Sequence, residues 1–64
     1  MVRQVKMERI KRGIRSYEMA ALVGYNPQLW ARVENGLREP PPEVAQRAST
    51  VLGLPRSELF CSAE

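Results

Sequence analysis

Six of the chain's ten Lys and Arg residues (Arg3, Lys6, Arg9, Lys11, Arg12 and Arg15) fall within the first 15 positions, where Glu8 is the only acid. A cluster of this kind raises the local concentration of polyanions such as nucleic acid. A solvated helix face would carry the same charges, so the cluster alone decides nothing. Over the whole chain the excess is modest, ten cations against seven acids for a formal charge of +3. Other chemistries lack their residues. Histidine is absent and Cys61 is the single cysteine, so neither a disulfide framework nor a zinc cluster can be assembled within one chain. No glycine-rich nucleotide loop appears, and Cys61 has no basic neighbour to activate it. No enzyme, cofactor or metal site is therefore expected.

The side chains that remain must be held by a small fold. At 64 residues the chain makes one domain, 1–64, and buries only about 60% of the surface its unfolded form exposes. No apolar run approaches the roughly 18 residues of a membrane span. The chain opens on no signal-peptide pattern, so a cytoplasmic location is expected. Punctuation falls at Gly13, Gly24-Tyr25-Asn26-Pro27, Asn35-Gly36, Pro40-Pro41-Pro42 and Gly53-Leu54-Pro55. Between these marks apolar residues recur at spacings of three and four rather than two, which is the period of helix. The pattern predicts an all-α fold of five short helices at about 2–12, 16–23, 27–35, 42–52 and 56–60.

The first of these is polar for its length and must gain stability by docking. Ser16 is expected to cap the second, with Glu18 well placed in its first turn. Asn26-Pro27 is a strong start signal for the third, because Asn caps well and Pro suits the first helical position. Trp30 and Val33 are expected inside. An exposed Trp30 could instead stack or insert, but large apolar residues are commonest in cores. In the fourth helix Val44, Ala48, Val51 and Leu52 are expected to face the core, and Leu59 and Phe60 to fold back as a lid.

Only about three residues, Gly24 to Asn26, separate helices two and three. Helices joined so tightly cross steeply, leaving the second one protruding with its N-terminal end exposed. A helix so placed can enter a DNA major groove while its predecessor crosses the backbone. Many bundles contain such a hairpin, and the sharper signal lies in particular residues. These are Arg9-Ile10 with Gly13-Ile14, Met19-Ala20 with Leu22-Val23-Gly24, Arg32-Val33-Glu34-Asn35-Gly36 with Arg38 and Pro40, and Leu52-Gly53-Leu54 with Glu58-Leu59-Phe60. Taken in order, they resemble the phage-repressor/Cro-like (XRE-like) helix-turn-helix family over roughly Val5 to Phe60. The resemblance implies a lambda-repressor-like DNA-binding domain. It also implies sequence-specific binding of double-stranded DNA by a small transcriptional regulator, a repressor before an activator.

Site residues follow from the same resemblance. Arg9 and Glu34 match positions that pair helix one with the end of helix three, a contact that orients more than it stabilises. Base contacts would come from the start of helix three. There Gln28 can pair with adenine and Arg32 with guanine O6/N7, where the plain alternative is a solvated helix surface, and Leu29 can meet a thymine methyl or lie on the backbone. Pro27 occupies a position that often reads bases, and it cannot donate. Phosphate contacts would come from Asn35, Gly36 and Arg38 on one flank and Arg15, Ser16 and Tyr17 on the other. The family usually places Ser, Thr or Asn before a phosphate-gripping Gln at the start of helix two. Arg15-Ser16 stands there instead, so Arg15 is expected to supply that contact by charge.

The expected partner is duplex DNA carrying an inverted repeat. The chain itself should be a monomer or a weak homodimer joined through Leu54, Leu59 and Phe60. The reading from a different class is an antitoxin-type or other protein-interaction module on the same fold. Almost nothing follows Phe60 that could wrap such a partner, which favours the regulator.

Overall fold

A computed structural model describes residues 2–62. Five helices follow one another: α1 (Gln4–Lys11), α2 (Ser16–Leu22), α3 (Pro27–Glu34), α4 (Pro42–Leu52) and α5 (Arg56–Leu59). The fold is all-α. Its only strand-like contact among the described residues is a single antiparallel bridge between Arg3 and Ser62. Among the described residues, no helix is long and apolar enough to cross a membrane.

None of these helices is long enough to be stable alone, so each is held by the apolar face it buries. α2 packs chiefly on α3, and α5 lies against both α1 and α4. The shared core is Val5, Met19, Ala20, Val23, Trp30, Val33, Val44, Ala48, Leu52 and Leu59, with Ile14, Tyr25, Leu54 and Phe60 packed against it. Trp30 is completely buried and is the largest residue to be so. Ala20, on α2, is completely buried in this core.

Four expectations need correction. α1 starts at Gln4 rather than near position 2, because Arg3 is extended and its N–H donates to the Glu34 carbonyl at 2.8 Å. Ser16 does not cap α2; it is the first helical residue, and Arg15 takes the cap position. The Arg15 side chain has no acceptor to offer. Glu18 Oε1 instead reaches back to accept the Arg15 N–H at 2.9 Å, which is half of a capping box. Val51 stands 37% exposed, whereas Ala45 is buried. The buried stripe of α4 is therefore centred between Ala48 and Leu52, with Val51 at its rim. Finally, Leu59 is fully buried, so it offers no surface for a homodimer, and only Leu54 and Phe60 of the proposed lid remain partly open.

Candidate nucleic-acid interface

Four residues, Val23 to Asn26, join α2 to α3, and the last three each have a local reason to be there. Gly24 holds a left-handed conformation at φ +66, which costs a residue with a Cβ about 1–2 kcal/mol. The Tyr25 N–H closes the turn on the Ala20 carbonyl at 2.9 Å. Asn26 Oδ1 accepts from the N–H groups of both Gln28 and Leu29, at 2.9 and 3.2 Å, with Pro27 at the first helical position. From α4, Arg47 Nη1 donates to the Val23 carbonyl at 3.3 Å and so braces the turn from behind. With its first amides already taken by Asn26, α3 can meet a ligand only through its side chains.

Those side chains divide sharply between two faces. Trp30, Val33 and Glu34 are buried, while Pro27, Gln28 and Arg32 are exposed and Leu29 is half-buried. Gln28 and Arg32 are four residues apart and so share one face of the helix. Neither side chain is hydrogen-bonded or ion-paired among the described residues. The inner face is fixed by a buried polar knot. Glu34 Oε2 accepts from Arg9 Nε at 2.7 Å and from the Trp30 indole N–H at 3.0 Å. Arg9 Nη1 also donates to the Ile14 carbonyl at 2.6 Å. α1, the loop before α2, and α3 are thereby tied through one guanidinium. A buried pair of this kind specifies an arrangement more than it adds stability.

On the flanks, the residues expected at phosphates differ in their freedom. Arg15, Tyr17, Gly36 and Arg38 are exposed, and Ser16 is half-buried. Arg15 Nη1 donates to the Tyr17 hydroxyl at 3.3 Å, and Arg38 Nε donates to the Tyr25 hydroxyl at 3.0 Å. Asn35 is more committed, since its amide donates to the Ala31 carbonyl at 3.0 Å and its oxygen accepts from Lys6 Nζ at 3.4 Å. Leu37, between Gly36 and Arg38, is 76% exposed.

The N-terminal basic cluster turns out to be largely structural. Arg3 and Arg9 are buried and paired to Glu39 (3.1 Å) and Glu34. Lys11 and Arg12 converge on Glu8 at 3.2 and 2.9 Å. Arg12, then Gln4 and Lys11, hold the Glu8 carboxyl down from its ordinary 4.5 to about 2. Arg12 also donates to the Leu52 carbonyl at the end of α4. Among the described residues the cations without an ion pair are Lys6, Arg15, Arg32, Arg38, Arg47 and Arg56. Three of these, Arg15, Arg32 and Arg38, are exposed on α3 or on the segments flanking the α2–α3 hairpin. Reading the sequence missed Tyr25 altogether, although its place directly before the Asn26 cap put it beside the candidate surface.

A model of the helix-turn-helix domain family matches residues 1–59. No curated protein matches the chain.

Proposed function

Because the chain belongs to the helix-turn-helix domain family, which points to DNA binding, we propose that it is a small transcriptional regulator of the phage-repressor/Cro-like (XRE-like) group. It acts as a repressor, binding double-stranded DNA with α3 in the major groove. One observation carries this reading. Gln28 and Arg32 stand exposed and without protein partners on the outer face of a helix whose inner face is locked by Trp30, Val33 and Glu34. Side chains of these two types match the edges of adenine and guanine, and each good bidentate pair contributes about 1–3 kcal/mol of discrimination. Leu29 offers apolar contact beside them, and Pro27 shapes the entry to the helix without donating. Arg15, Ser16 and Tyr17 on one side, with Asn35, Gly36 and Arg38 on the other, supply sequence-independent contacts to phosphates. Two copies would meet on an inverted repeat, held together weakly or only by the DNA.

Selection of bound sequences from a randomised duplex pool tests the proposal, with wild type and Arg32→Ala run side by side. The expected result is an enriched motif, arranged as an inverted repeat, in which the mutant relaxes one position per half-site. Background binding with no enriched motif would remove the specific-regulator reading and direct the search to a protein partner.

A further inference from the structure

Tyr25 joins the core with its ring and the surface with its hydroxyl. It is half-buried and packed against the core cluster, while its oxygen accepts the Arg38 Nε–H at 3.0 Å. The bond spans thirteen residues, from the turn before α3 to the loop after it. That loop is braced a second time, because the next residue, Glu39, pairs with the buried Arg3 at 3.1 Å. Three consecutive prolines, Pro40, Pro41 and Pro42, then stiffen the chain into α4.

We propose that Tyr25 is a positioning residue that aims the Arg38 guanidinium at a DNA backbone phosphate and adds its own hydroxyl as a second donor. This rests on the DNA-binding reading above. The bond to Tyr25 uses only Nε, which leaves both terminal nitrogens of Arg38 without partners among the described residues. The phenolic proton likewise donates to no described residue. One guanidinium edge and one hydroxyl are thus presented together, a combination that suits the oxygens of a phosphodiester. The value of the arrangement lies in order. An arginine on a free loop loses rotamer freedom when it binds, whereas Arg38 is already held by a ring seated in the core.

The other tyrosine provides an internal comparison. Tyr17 also accepts from an arginine, Arg15, but at 3.3 Å, two residues away and with 58% of its surface exposed. That ring is mostly exposed and is not part of the core cluster, so it should direct its arginine far less.

Affinity for a mixed-sequence duplex, measured across a range of salt, tests the proposal with Tyr25→Phe, Arg38→Ala, the double variant and Tyr17→Phe. Phosphate contacts are indifferent to sequence, so no operator is needed. Tyr25→Phe keeps every charge and should weaken binding about threefold to tenfold, the scale of one or two hydrogen bonds, with the salt slope unchanged. Arg38→Ala should lower that slope by about 0.9, the counterion share of one phosphate. In the Arg38→Ala background, Tyr25→Phe should cost clearly less than it does alone, and Tyr17→Phe should cost less than Tyr25→Phe. Thermal unfolding by circular dichroism should show Tyr25→Phe folded at the assay temperature. A purely structural tyrosine would give additive losses instead, and that outcome overturns the inference, as does a Tyr25→Phe chain that binds like wild type. A wild-type chain that binds no duplex at any salt overturns the DNA reading itself, and this inference with it.

Discussion

Glu34 shows how much one side chain can organise in a domain this small. Its carboxylate is 2% exposed and one of its oxygens takes both the Arg9 guanidinium and the Trp30 indole N–H. Removing either donor leaves charge behind in the interior, and the two losses should differ in size. Arg9→Met strips the cation from a buried carboxylate, a change that typically costs about 3–5 kcal/mol. Trp30→Phe keeps most of the packing and removes one hydrogen bond to a charged group, which costs about 1.5–3 kcal/mol. Urea unfolding followed by circular dichroism should therefore place Arg9→Met below Trp30→Phe in midpoint. A lower midpoint for Trp30→Phe would mean that the indole bond, more than the guanidinium, holds Glu34 in place. The Arg9–Glu34 pairing was anticipated from the motif that surrounds it. The indole was not, because Trp30 was weighed only as an apolar body, and its polar edge finds Glu34 one helical turn further on.

Among the elements, α3 was the most legible, and what starts α2 the least. Both ends of α3 carry residues whose own chemistry stops or starts a helix, Asn26-Pro27 and Asn35-Gly36, so its bounds Pro27–Glu34 needed little tertiary help. α2 begins after an arginine, and its start is made by Glu18 folding back to the backbone, which no cap rule applied to Arg15 would reveal. The turn between them allows a sharper prediction. Gly13 and Gly24 are both left-handed, at φ +69 and +66, but only at Gly24 would a Cβ meet another atom closely, Arg47 Nη1 at 2.6 Å. Gly13→Ala should cost about 1–2 kcal/mol for the backbone alone. Gly24→Ala should cost up to about 1 kcal/mol more, since Arg47 must leave its hydrogen bond to Val23. Chemical denaturation in wild-type and Arg47→Ala backgrounds checks this, because the extra cost should vanish once Arg47 is gone.

At the scale of the whole molecule, charge is where sequence and structure part most clearly. The first 15 residues read as a basic patch, yet Arg3 and Arg9 lie buried against Glu39 and Glu34, acids that arrive from the far end of α3 and the loop beyond it. Charge counted along a chain cannot anticipate partners delivered by folding. For the same reason Tyr25 and Arg38, thirteen residues apart, were not seen as a pair. One long-range feature has a practical outcome as well. The Gln4 N–H donates to the Cys61 carbonyl at 2.9 Å, and Arg3 bridges Ser62, while Arg3 also holds the last turn of α3 through Glu34. A short glycine-rich peptide joining residue 2 directly to residue 62 could therefore close these 61 residues into a ring beside the C-terminal end of α3, leaving Gln28 at the opposite end unobstructed. Cyclisation restricts the unfolded chain, and the two ends already lie side by side in the folded one. The circular form should melt at a higher temperature in calorimetry and retain the duplex affinity of the linear chain.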